Sequence, residues 1–110
     1  MEYEHPRLVP RYSFVVDTEL TDMQSGIQIK ARTKDLCLFG CGVDALKPFP
    51  KGANVRIKLS HGGTDVEALA RVIYVRSDLG MGVVFTSVER EVEQILEGWI
   101  AELTSSSISR

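Results

Sequence analysis

The sequence predicts an all-β fold: a six-stranded antiparallel β-barrel followed by a C-terminal amphipathic α-helix. Three observations predict it. Between Tyr12 and Phe85, six short segments alternate apolar and polar residues with period two, as half-buried strands do. Clusters of Gly, Pro, Asn, Asp and Ser separate them at intervals typical of small barrels. Beyond Phe85 the period becomes helical, with Val88, Val92, Ile95, Leu96, Trp99, Ile100 and Leu103 recurring on one face. The 110 residues, 44% hydrophobic and 25% charged, suit one soluble globular domain with a modest core.

In the first strand Tyr12, Phe14, Val16, Thr18 and Leu20 share a face, opposed by Ser13, Asp17 and Glu19. A turn through Asp22, Gln24, Ser25 and Gly26 leads into the second strand. There Ile27, Ile29, Ala31 and Thr33 face one way and Gln28, Lys30, Arg32 and Lys34 the other, so the two strands read as a hairpin. Residues 36 to 46 form a third apolar strand interrupted by Gly40 and Gly42, which mark a bulge, a bend or the close approach of another group. Pro48, Pro50 and Gly52 end it.

Val55, Ile57 and Leu59 alternate with Asn54, Arg56, Lys58 and Ser60 in the fourth strand, and His61 reads as a turn residue before Gly62 and Gly63. The fifth strand spans about 65 to 75, with Val66, Ala68, Ala70, Val72 and Tyr74 on its core face, and Met81 to Phe85 make the sixth. Thr86 and Glu89 resemble a capping box, which starts the expected helix near 87 and runs it to 103. Residues 104 to 110, with three consecutive serines, read as a flexible tail. The domain division is thus an arm over 1–11, the barrel and helix over 12–103, and the tail over 104–110.

Charge narrows the function. The net charge is −2, a poor basis for binding a nucleic acid polymer through its phosphates. Residues 1 to 88 carry eleven basic and ten acidic groups, whereas 89 to 110 carry Arg90 and Arg110 against five glutamates, so a local basic site belongs to the body. No apolar run approaches the ~18 residues of a membrane span, and the N-terminus lacks the apolar core of a signal peptide, which points to the cytoplasm. Cys37 and Cys41 would lie about 13 Å apart in a strand, too far for a disulfide, and are expected as thiols. His5 and His61 show no ligand spacing to them, so no metal site is expected. No catalytic set has supporting spacing, so the chain reads as no enzyme and needs no cofactor.

Two motifs remain. Arg7 and Arg11 form R-x-x-x-R in a stretch that Pro6 and Pro10 keep extended. Asp35-Leu36-Cys37-Leu38-Phe39-Gly40 places a carboxylate and a small side chain two residues apart, on one face of a strand, with a glycine that leaves room for a ligand or the arm.

Together, on a six-stranded barrel with a following helix, these motifs resemble the PilZ domain, a bacterial receptor for cyclic di-GMP. The likeness covers about residues 5 to 103 and extends to Gly82-Val83-Val84-Phe85, similar to the family's last strand. It implies a cyclic di-GMP receptor or adaptor whose ligand positions are Arg7, Arg11, Asp35, Cys37 and Gly40. Cys37 stands where the family usually has serine, and a thiol donates a weaker hydrogen bond. Pro6, where some members carry another arginine, implies a single bound ligand molecule. A second register of the arm also stays open, with Arg7 in the second arginine position and Tyr3 in the first.

The chemistry suits the residues. A guanidinium fork matches a phosphate or the O6/N7 edge of guanine, and a carboxylate accepts from guanine N–H groups. The arm is expected to be mobile alone and ordered over the ligand, presenting a changed face to a downstream protein still to be identified or to another copy of the chain. The alternative within the resemblance is an interaction adaptor for motility or pilus assembly without useful nucleotide affinity.

Overall fold

A computed structural model describes the backbone of residues 12–108 and the side chains of residues 12–104. The strands are β1 (Tyr12–Ser13), β2 (Asp17–Asp22), β3 (Gln28–Cys37), β4 (Gly40–Asp44), β5 (Asn54–His61), β6 (Thr64–Arg76) and β7 (Gly80–Ser87), and one helix follows, α1 (Arg90–Ile108). The sheet runs β3-β2-β5-β6-β7-β4, and β4 pairs back onto β3, closing a six-stranded antiparallel barrel. Among the described residues β1 joins through β3 alone.

β1 and β2 are one expected strand, bent in the middle. Phe14 N–H donates to the Lys34 carbonyl at 3.2 Å, Thr33 N–H to the Val16 carbonyl at 3.0 Å, and Val16 N–H to the Thr33 hydroxyl at 3.0 Å. That hydroxyl in turn donates to the Phe14 carbonyl. Thr33 is fully buried, and both functions of its hydroxyl are satisfied, which avoids the cost of a lone buried polar group. The bend carries Tyr12 and Ser13 along the second half of β3, opposite Leu36 and Asp35.

The inward faces follow the expected alternation. Leu20, Leu36, Val43, Val55, Ile57, Leu59, Val72 and Met81 are each no more than 1% exposed and fill the barrel. Burying a side chain of this size contributes roughly 1.5–3 kcal/mol, so this interior is the main source of stability. Ile27, expected beside Ile29, is instead 59% exposed, because it lies in the β2–β3 turn ahead of the strand. In that turn the Ser25 hydroxyl, with backbone N–H groups of Ser25 and Gln24, holds the Asp22 carboxyl below its usual range.

Three expectations are corrected. Leu36 and Cys37 end β3 rather than begin the next strand, because a two-residue turn at Leu38 and Phe39 reverses the chain there. Cys37 and Cys41 therefore sit on different strands, and they form no disulfide. β7 continues through Ser87, so the helix starts at Arg90, with the Glu89 carbonyl accepting its first hydrogen bond from Glu93 N–H at 2.9 Å. Glu91 and Glu93 in the first turn suit the positive end of the helix dipole. Finally, α1 runs on to Ile108 through the expected tail. Propagating an existing helix adds one hydrogen bond per residue, and serine costs only about 0.5 kcal/mol there relative to alanine.

The helix packs on β6 and β1. Leu96 and Trp99 enter the core, and Trp99 stacks beside Phe14 with ring centroids 5.6 Å apart. His61, expected as a plain turn residue, ends β5 and meets both rings edge-on at 5.1 Å, while its Nε2 lies 3.7 Å from a Glu102 oxygen. Within the described residues no helix is long and apolar enough to cross a membrane.

Candidate functional site

The second motif lies on the outer wall of the barrel, beside a β-bulge. In β3 the register against β4 slips between Thr33 and Asp35, leaving Lys34 as the extra residue. Thr33 and Leu36 both point inward as a result, and Asp35 and Cys37 share the outer face. Asp35 pairs with Gly42, whose N–H donates to Asp35 Oδ1 at 2.7 Å. The carboxylate is thus held in place by backbone, which makes it a positioned acceptor rather than a freely rotating charge.

Cys37 also has a local task. Its sulfur accepts from Phe39 N–H at 3.4 Å across the β3–β4 turn. A serine hydroxyl could accept the same bond, so the position needs a small side chain with a lone pair.

Gly40 is explained within the barrel. A Cβ there would sit 2.1 Å from the Val83 carbonyl oxygen of β7, so the missing side chain admits a neighbouring strand. Gly42, two residues on, is covered by side chains instead. A Cβ on Gly42 would meet Asp35 Oδ1 at 2.9 Å and the Lys34 chain at 3.1 Å, both on the outer face.

Arg7 and Arg11 lie outside the described residues. Their chain neighbour Tyr12, however, is paired with Leu36, between Asp35 and Cys37. The bend in the first strand therefore brings the start of the barrel to the edge that carries the second motif, although a whole hairpin separates them in sequence.

Sequence reasoning missed the other end of this surface. Gly42 pairs with Gly82 of β7, and Gly82 pairs with Tyr74 of β6. A second bulge, between Val72 and Tyr74, makes Ile73 the extra residue and turns Tyr74 from the expected core face to the outer one. Asp35, Gly42, Gly82 and Tyr74 thereby form one row across four strands. The available signal was a pair of glycines inside apolar strands, but the bulges that align them leave no mark in the periodicity.

Electrostatics separates this row from a groove on another part of the surface. That groove, about 530 Å³ between β6 and the start of α1, is lined by Asp65, Glu67, Glu89 and Glu91 against a single Arg56, and it repels anions. The row has Lys34 beside Asp35 at one end and Arg76 beside Tyr74 at the other. Among the described residues no group of His, Cys, Asp and Glu could hold a metal ion.

Architecture and site define the class of protein: a closed six-stranded barrel with a C-terminal helix, its polar row set on the outer wall. The chain belongs to the PilZ domain family, whose model matches residues 4–102. Solved structures of the same fold include the inhibitor of motility MotI/DgrA from Bacillus subtilis, 15% identical with a TM-score of 0.77, covering 96% of this chain and 54% of that one. The PilZ domain with c-di-GMP of YcgR from Escherichia coli is 18% identical with a TM-score of 0.76, covering 94% of this chain and 95% of that one. The PilZ domain of CeSA from a cellulose-synthesizing bacterium is 19% identical with a TM-score of 0.66, covering 89% and 98%. The chain thus spans about half of the Bacillus protein. No curated protein sequence matches it.

Proposed function

We propose that this protein is a cyclic di-GMP receptor in which Arg7 and Arg11 close over a ligand held on the outer wall at Asp35. The observation that carries the reading is the placement of β1 beside the second motif. β1 delivers the chain that follows Arg11 directly opposite Leu36 and Asp35, and Asp35 is fixed by Gly42 N–H. The family and the c-di-GMP complex of the similar YcgR domain support the choice of ligand. Two guanidinium groups provide forks for the phosphates or guanine edges, and Asp35 accepts from a guanine. Cys37 contributes through the turn it braces, and Gly40 through the strand packing it permits. Closure of the arm changes the surface beside β1, which passes the signal to a partner protein.

Calorimetric titration with cyclic di-GMP, with GTP and a short DNA strand as controls, tests the reading. Arg11→Ala and Asp35→Ala should each weaken binding about 5- to 150-fold, the worth of one bidentate base contact. Amide exchange should slow within residues 5 to 12 on adding ligand. A parent chain that does not bind cyclic di-GMP overturns the proposal and leaves the interaction-adaptor alternative.

A further inference from the structure

The first half of β6 turns Asp65, Glu67 and Leu69 outward, because Val66, Ala68 and Ala70, which alternate with them, are buried in the barrel. Leu69 pairs with Ser87, the last residue of β7, so the chain that follows enters α1 beside this face of β6. The groove of about 530 Å³ lies between the two. Val92 and Ile95, three residues apart and therefore on one side of the helix, line it together with Leu69, which is 39% exposed. The groove thus has an apolar strip facing water.

Asp65, Glu67, Glu89 and Glu91 flank that strip, against Arg56. Among the described residues the ion pairs join Asp17, Glu19 and Glu102 to cations, and none involves these four carboxylates. Like charges crowded together repel, and nothing in the described fold neutralises them. A partner that brings cations would.

Charge and shape together select the occupant. Nucleic acids and anionic lipid surfaces are repelled by the carboxylates, and a second copy of this chain would bring a net charge of −2 to a wall that is already negative. A segment with lysines or arginines flanking apolar side chains matches both parts of the groove. We propose that the groove between β6 and the start of α1 docks a basic amphipathic segment of a partner protein, with its apolar side chains on Leu69, Val92 and Ile95 and its cations among the carboxylates. The site stands apart from the row at Asp35, so it does not depend on the cyclic di-GMP reading.

The test follows amide chemical shifts of the full chain during titration with a synthetic peptide of lysine and leucine at amphipathic helical spacing. Two control peptides replace every lysine by glutamate or every leucine by serine. Amides within residues 65 to 69 and 87 to 95 should move with the first peptide and not with the controls, a result that requires no variant to fold. Glu67→Lys combined with Glu91→Lys should weaken binding by about tenfold or more, and Leu69→Ser by about fivefold. Glu97→Lys, on α1 but outside the groove lining, should leave affinity within about twofold. Added salt should weaken binding to the parent and hardly affect the doubly charge-reversed variant. If the groove amides stay unmoved, if the serine control binds as tightly as the leucine peptide, or if charge reversal leaves affinity unchanged, the docking site is wrong. If the same amides move when the protein alone is concentrated, the occupant is a second copy and the proposal falls.

Discussion

At the β5–β6 hairpin, Gly62 and Gly63 hold φ of 61° and 80°, and a Cβ on either would meet nothing within 4 Å. Across the β4–β7 pair the reverse holds. Gly40 and Gly80 have no left-handed φ, yet a Cβ on either would lie 2.1 Å from a carbonyl oxygen of the facing strand, and Gly82 carries the Tyr74 ring. The first region uses glycine for its backbone freedom, and the second for its lack of a side chain. The lesson is functional as well, because the second use shapes the floor of the candidate site and the first merely reverses the chain.

Gly40→Ala should separate the two cases most sharply. Its methyl would press on Val83 and Val84 backbone, which cannot rotate aside, so a loss of about 3 kcal/mol or more is expected in urea unfolding. An unchanged midpoint would mean that β4 and β7 part at little cost. Gly82→Ala comes next at about 1–2 kcal/mol, because the obstructing atoms are the far end of a side chain that can swing away. In a Tyr74→Ala background most of that cost should vanish, and a cost that persists would refute the packing of that ring on Gly82.

At the hairpin, Gly63→Ala should cost about 1 kcal/mol through its left-handed φ alone, and Gly63→Asn distinctly less, since asparagine visits that region more readily. Equal losses from both would show that space, not conformation, governs this turn. Gly98 completes the series as a glycine with neither reason. It is exposed in α1 with nothing within 4 Å, so Gly98→Ala should stabilise by about 0.5–1 kcal/mol, seen as a higher melting temperature. A loss there would reveal a contact that a methyl disrupts.

Much of the barrel was legible because alternation is a local property. Val55, Ile57 and Leu59 need only their own segment to declare a face, and Val92, Leu96 and Trp99 declare the helix in the same way. Tyr74 was misplaced because its parity depends on a bulge at Ile73, set by how β6 meets β7. His61 was underread for a similar reason, since its neighbours Phe14 and Trp99 come from opposite ends of the sequence.

The sequence by itself determined the strand-rich barrel, the closing helix and the two motifs, since side-chain period, turn chemistry and residue spacing are all written along the chain. Only the tertiary structure decided what each glycine is for and which residues share the outer wall. Strand pairing sets register across the sheet, and a single bulge exchanges inside for outside without altering the composition around it. Asp35 and Tyr74 fall on one row because two such bulges, on strands far apart in sequence, occur at either side of the Gly42–Gly82 pair.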